Sequence, residues 1–410
     1  MVSNAPTLVA EIDKEMKMNF FERIQKLDRR YIYIVVALAI IIPLMIPYNS
    51  DNVTSPPTEN LYQMIDSFAG REDRAILLSF IHDASTMPEL YPMEVAILRH
   101  CFERNIKVFA LTWSATAAPI IDFAINNVKE EYPDIKSGVD YCNFGYKPQP
   151  LAMILGMGDN IATTISTDAE GRKLESLPIM NGINNYNEMN LVIEFSGSAA
   201  GGAWFTYARP KFGLNVAVGV TAVMAADMYP YLQSGQLIGM LAGLKGAAEY
   251  EKMVDVFAAY REPGRDYSIK IDEDGNKLLP GRPFGREILN DESIQKLIKI
   301  TNQTKAEFTK EEYAAFIAKY PNQAAIFNNL KTEEDNNVIV DVTQITPELR
   351  DQMGEIAFAD INRMTRNTIY KFKVARIGMN AQSVAHIMII VFIILGNIGY
   401  FIQKAKAAKN

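Results

Sequence analysis

Residues 75–81 read AILLSFI and residues 107–113 read KVFALTW, two continuous apolar runs of strand length. Between them, residues 93–103 place Val95, Leu98, Cys101 and Phe102 at three- and four-residue spacing, the period of a helix with one buried face. A strand with no polar alternation is covered on both faces, and this combination indicates parallel pairing with helical crossovers.

The same alternation continues beyond these two strands. Residues 140–144 (DYCNF), 161–166 (IATTIS), 191–195 (LVIEF) and 215–220 (NVAVGV) read as further strands. Residues 119–132, 151–157, 202–211 and 236–257 read as helices. The predicted fold class is α/β, a mostly parallel Rossmann-like sheet with helices on both faces over residues 73–260.

Residues 261–350 differ in texture, being charged and rich in turns. Residues 268–271 and 277–279 flank Asp272-Glu273-Asp274-Gly275-Asn276, a hairpin with its turn at Asp274-Gly275. Helices are expected over 291–301 and over 309–320, the second opened by the capping-box sequence Thr309-Lys310-Glu311-Glu312. The segment is read as an inserted hairpin and helical lobe. Residues 351–382 then form a helix leading to the membrane.

Two stretches carry no charge. Residues 31–48 read YIYIVVALAIIIPLMIPY, and residues 384–402 read VAHIMIIVFIILGNIGYFI. A hydrocarbon core of about 30 Å takes about 20 apolar residues, with about 17 as a lower limit. Both are read as transmembrane helices, over 31–48 and 383–403, with the lipid bilayer as a partner. No small-x-small cleavage site follows the first, so it is read as an uncleaved signal anchor. Residues 1–30 are expected to form a cytoplasmic amphipathic helix, with Val9, Ile12, Met16, Phe20, Ile24 and Leu27 on one stripe. Residues 49–72 are a linker with a short helix, and residues 404–410 a tail.

Lys14, Lys17, Arg23, Lys26, Arg29 and Arg30 precede the first stretch, and no Lys or Arg follows it before Arg71. This asymmetry predicts a two-pass chain with both termini cytoplasmic and the α/β domain extracytoplasmic. Arg363, Arg366, Lys371, Lys373 and Arg376 run against it, on the outer side of the second stretch.

In the whole chain of 410 residues, 49% are hydrophobic and 22% charged, and the net charge is −7. That balance argues against a nucleic-acid partner, which requires a basic face. Two cysteines, Cys101 and Cys142, exclude a disulfide scaffold. No HExxH, CxxC or complete calcium loop appears, so neither a metal nor a cofactor is expected.

In an open parallel sheet, ligands bind beyond the carboxyl ends of the strands. The residues expected there include His82 and Asp83 after the first strand. After LVIEF come Ser196-Gly197-Ser198-Ala199-Ala200-Gly201-Gly202, and Thr221 follows the last strand. Backbone N–H groups of such a small-residue loop at a helix start can hold an anion. Ser196, Gly197, Ser198, Gly201, Gly202 and Thr221 are therefore the candidate ligand-binding residues. Close packing of helix on strand accounts for the same composition. His82, Asp83, Ser198 and Asp227 are the candidate catalytic residues, from which a Ser/His/Asp triad can be assembled, although no GxSxG elbow accompanies them. Gly235, Gly239 and Gly243 form a small-residue ridge at helical spacing, the candidate interface of a homo-oligomer or membrane protein complex.

Two functions fit these features. One is a ligand- or partner-binding subunit of an oligomeric membrane complex. The other is a membrane-tethered hydrolase or transferase acting on an envelope substrate at the strand-end crevice. A deep polar pocket joining His82, the small-residue loop and Asp227 marks the enzyme, and exposed apolar helix faces mark the subunit.

Overall fold

The computed structural model describes residues 29–46, 53–198, 201–259, 270–271, 277–278, 288–289, 305–334, 337–365 and 374–407. The chain divides into two compact units, residues 51–376 and residues 1–50 with 377–410. The helix expected over 7–28, the turn 272–276 and the helix expected over 291–301 lie outside the described residues.

The first unit is built on a six-stranded sheet of β1 (Ala75–Ile81), β2 (Lys107–Thr112), β3 (Tyr141–Tyr146), β4 (Leu191–Ser196), β5 (Asn215–Val220) and β6 (Gly239–Ala242). The order is β3-β2-β1-β4-β5-β6, and every pair is parallel. This is the order of a doubly wound sheet, which reverses direction between β1 and β4. All seven residues of β1 are buried, as its unbroken apolar run requires. Alternate strand residues divide between the two faces. Leu77, Phe109, Phe144, Val192 and Val218 share one core with Met153, Ile154 and Trp204. Phe80 and Phe195 lie on the opposite face, their ring centroids 5.4 Å apart. The helices that frame the sheet are α2 (Pro56–Asp66), α3 (Met87–Glu103), α4 (Ala118–Lys129), α5 (Pro150–Asp159), α6 (Ile161–Thr164), α7 (Arg209–Phe212), α8 (Ala222–Gln233) and α9 (Gly243–Ala259).

Three elements depart from the sequence reading. IATTIS is not a strand. The side chain of Asn160 accepts the N–H of Thr163 at 2.9 Å and starts the short helix α6 instead. The helix expected from residue 202 begins as one π-helical turn, Trp204–Ala208, before α7. The long helix expected over 236–257 is a strand followed by a helix, so Gly235, Gly239 and Gly243 form no ridge. Gly235 sits in a turn, Gly239 opens β6, and Gly243 opens α9 with φ +55°. A short apolar run fits either period, and here pairing with β5 decides it.

Gly239 serves close packing of another kind. A Cβ there would lie 2.8 Å from both the Cβ of Leu61 and the carbonyl oxygen of Pro57 on α2. Gly239→Ala is expected to destabilise the unit by about 1–3 kcal/mol, the usual cost of overpacking, measurable as a lowered denaturation midpoint. An unchanged midpoint would contradict this packing.

Residues 261–350 contain an antiparallel pair, β7 (Lys270–Ile271) with β8 (Lys277–Leu278). They also contain a three-stranded antiparallel sheet, β10-β11-β9, that the sequence reading lacks. Its strands are β9 (Lys305–Thr309), β10 (Lys331–Glu334) and β11 (Asn337–Asp341). Helices α10 (Lys310–Lys319), α11 (Ala324–Leu330), α12 (Pro347–Met353) and α13 (Glu355–Thr365) accompany them. Phe308, Phe316, Phe327, Val340 and Ile361 form a core of their own. The capping box forms as read, with Thr309 N–H donating to Glu312 at 2.9 Å and Glu312 N–H to Thr309 Oγ1 at 3.2 Å.

In the last helix, α14 (Val374–Ala407), residues 374–402 are long and apolar enough to cross a membrane. Their 29 residues span about 44 Å at about 1.5 Å per residue. The first apolar helix, α1 (Arg29–Met45), has 17 residues and reaches about 26 Å, at the lower limit of length for a span.

The first turn of α14 is fixed by buried charge. Arg376 Nε donates to Glu251 Oε1 at 2.7 Å, and its Nη2 donates to the Asp255 carboxylate. Ala375 N–H donates to Glu251 Oε2 at 3.2 Å. Asp255 also faces Arg99 on α3 at 3.4 Å, and Arg99 grips both oxygens of Glu131. One of the charges that opposed the expected membrane orientation is therefore a domain residue, neutralised inside the fold.

Candidate functional site

Helices and strands converge on a crevice of about 350 Å³ where the sheet reverses direction. From the end of β1 come Ile81, His82, Asp83, Ser85 and Thr86. Trp113, Ser114 and Thr116 come from the end of β2, and Gly197 and Ser198 from the end of β4. Two wider depressions, about 600 and 550 Å³, lie beside Arg74 and Asn190 and beside Lys107 and Asp140. These residues precede the strands or open them, whereas ligands of parallel sheets sit beyond the carboxyl ends. The switch-point crevice is accordingly the candidate site.

Its walls are held by local bonds. Asp83 Oδ1 accepts the backbone N–H of Ser85 at 2.9 Å and the hydroxyl of Ser85 at 2.6 Å. These bonds hold the Asp83 carboxyl below the usual range, and the carboxylate is exposed. The Ser114 and Thr116 hydroxyls are 2.9 Å apart, and Ser114 N–H donates to Thr112 Oγ1 at 2.8 Å. Gly197 lets the methyl of Thr86 approach, since a Cβ would meet it at 2.4 Å. Trp113 backs onto the fully buried Trp204, with ring centroids 5.8 Å apart, and Trp204 Nε1 donates to Ser79 Oγ at 2.9 Å.

His82 does not offer a free imidazole. Its side chain is buried, with Nε2 2.5 Å from Glu94 Oε1 on α3 and Nδ1 3.2 Å from the carbonyl oxygen of Asp83. Burial pushes the imidazole down, but the hydrogen bond and charge of Glu94 outweigh it and the net shift is upward. Burial raises Glu94 too, and its second oxygen is buried with no partner among the described residues. The two groups titrate as one unit. Glu94→Gln is expected to lower the His82 pKa, followed by NMR of the imidazole protons. A titration unmoved by the substitution would contradict the pairing.

The small-residue loop is described at Ser196–Ser198 and from Gly201, while Ala199 and Ala200 lie outside the described residues. Ser196 is buried and donates its hydroxyl to the carbonyl of Ser198 at 2.9 Å. The N–H of Gly202 donates to a carboxylate of the chain itself, Glu194 Oε1, which the N–H of Trp204 also approaches. At Gly201 a Cβ would lie 2.4 Å from that same oxygen. Glu194 is buried in the middle of a strand, its second oxygen has no partner among the described residues, and burial raises its pKa to about 7.

Thr221 is buried and precedes α8, whose first N–H, from Ala222, donates to Glu89 at 2.8 Å. Asp227 is exposed on α8, and neither residue lines the crevice. The structure thus brings together His82, Asp83, Gly197 and Ser198, and leaves Ser196, Gly201, Gly202, Thr221 and Asp227 outside the lining. Cys101 and Cys142 are free and buried, and burial pushes the Cys142 thiol up to about 12. His100 is buried in α3, 2.7 Å from the Tyr250 hydroxyl and stacked on Tyr62.

Sequence reasoning passed over Glu94, Trp113 and Glu194. A lone acidic residue inside the apolar run LVIEF was the available signal for Glu194, and a tryptophan ending KVFALTW the signal for Trp113. Nothing in the local sequence marks Glu94, which meets His82 only through the packing of α3.

The chain matches no protein-family model, no curated protein and no solved structure.

Proposed function

We propose that this chain is a membrane-anchored binding subunit of an oligomeric membrane complex, taking its ligand or partner at the switch-point crevice. The observation that carries this reading is the closed state of His82. Both ring nitrogens are engaged and the side chain is buried, so no free imidazole faces the crevice. Asp227 lies apart from it, which removes support from a Ser/His/Asp hydrolase.

Anchoring is supported by the apolar residues 374–402. The two-pass topology, with residues 31–48 as a signal anchor, both termini cytoplasmic and the α/β domain outside, draws on the basic residues before Tyr31 and on the burial of Arg376. Oligomerisation is supported by α8, where Val223 is 85% exposed and Tyr229 half exposed, while Ala225 is the helix's buried residue.

Cross-linking in native membranes followed by electrophoresis tests the reading. A ladder above the monomer is expected, weakened by Val223→Lys. A chain that stays monomeric, and that hydrolyses envelope substrates until His82 is replaced by Gln, would favour the tethered enzyme instead.

A further inference from the structure

Resting on the reading of the crevice as a binding site, we propose that its ligand is a small neutral polyhydroxyl compound, about one sugar ring in size, seated against Trp113. The cavity of about 350 Å³ lies near the lower end of small-molecule sites, about 300–1,000 Å³. That volume leaves no room for a dinucleotide, the ligand that this strand order often holds.

The lining chemistry narrows the class further. Ser85 and Thr86 donate their hydroxyl protons to Asp83 and keep acceptor lone pairs, while Ser114 and Thr116 share one O–H and leave the other as a donor. A ligand bearing several hydroxyls has the same dual capacity. Asp83 adds an acceptor: its Oδ1 is occupied by Ser85, and the ionised carboxylate can take further ligand O–H groups. Among the described residues that line the cavity there is no lysine and no arginine. A phosphate or carboxylate ligand would meet the Asp83 charge with no cation to offset it. The anion-binding alternative is weakened independently, because the Gly202 N–H already donates to Glu194.

Trp113 is the aromatic side chain among the described lining residues, and an indole suits the C–H side of a saturated ring. Its packing on Trp204, itself held by Ser79, fixes the indole before any ligand arrives. Fixing a wall in advance lowers the entropic cost of binding. Trp204 also opens the π-helical turn, a local distortion that recurs at functional sites.

The test is ligand-observed NMR with calorimetry on the full chain in detergent micelles. Glucose, galactose, mannose and myo-inositol are the neutral probes, and glucose 6-phosphate and gluconate the anionic ones. At least one neutral probe is expected to bind, with the anionic probes at least about tenfold weaker, roughly 1.4 kcal/mol. Asp83→Asn and Trp113→Ala should each weaken binding by about tenfold or more, and Trp113→Phe should retain most of it. Asp83 is exposed, so its variant reports on binding rather than folding. Tighter binding of the anionic probes would overturn the ligand class while leaving the crevice as a binding site. The class also fails if no neutral probe binds up to about 50 mM. Conversion of a bound probe to product would instead overturn the non-catalytic reading on which the proposal rests.

Discussion

Replacing Arg376 by alanine is expected to destabilise the unit of residues 51–376 by about 3–5 kcal/mol, the usual penalty for removing one partner of a buried ion pair. Arg376 is buried with Glu251 and Asp255, and its loss strands two carboxylates away from water. Asp255 keeps Arg99, and Glu251 keeps the Ala375 N–H. Pairing Arg376→Met with Glu251→Met removes both charges, so the double variant should recover much of the loss. A coupling of about 1–3 kcal/mol is expected in the double-mutant cycle. Chemical denaturation in micelles reads it, and strictly additive effects would contradict the clamp. Total stabilities of about 5–15 kcal/mol make the single substitution a large change.

The second large effect is a dependence of stability on pH. Glu194 has a folded pKa of about 7 against an ordinary 4.5, because its burial disfavours the charged form. The folded chain therefore binds this proton more tightly than the unfolded one. Its contribution is complete below about pH 4.5 and is lost as pH rises through about 7. The difference corresponds to roughly 3 kcal/mol at about 1.4 kcal/mol per pH unit. Glu194→Gln keeps an oxygen for the N–H groups of Gly202 and Trp204 and cannot ionise. Denaturation midpoints measured from pH 4 to 8 should fall across this window in the natural chain and lose that fall in the variant. A slope retained by the variant would place its origin elsewhere.

These two residues also mark the boundary of what the sequence discloses. AILLSFI, KVFALTW, LVIEF and NVAVGV are legible as covered strands because each apolar run needs no partner to be recognised. The capping box at Thr309 is legible because both halves lie within four residues. The role of Glu194 is not, since its donors arrive from a loop that turns back onto the strand. Arg376 finds its partners more than a hundred residues earlier, so in sequence it reads as a membrane-flanking charge. QLIGMLAGLKGAAE fits a helical period throughout, and only pairing with β5 separates its strand from its helix. At the crevice, the position of His82 and Ser198 follows from the strand ends. The sealing of His82 by Glu94 depends on how α3 lies against the sheet.

The proposed function needs an apolar anchor for the binding domain, so alkaline carbonate extraction of membranes bearing the full chain is the most direct test. The chain should remain in the pellet and leave it only with detergent, because the part of α14 beyond Arg376 is long and apolar enough to enter lipid. Recovery of the intact chain in the aqueous supernatant, folded and without detergent, would contradict the anchoring and the function built on it.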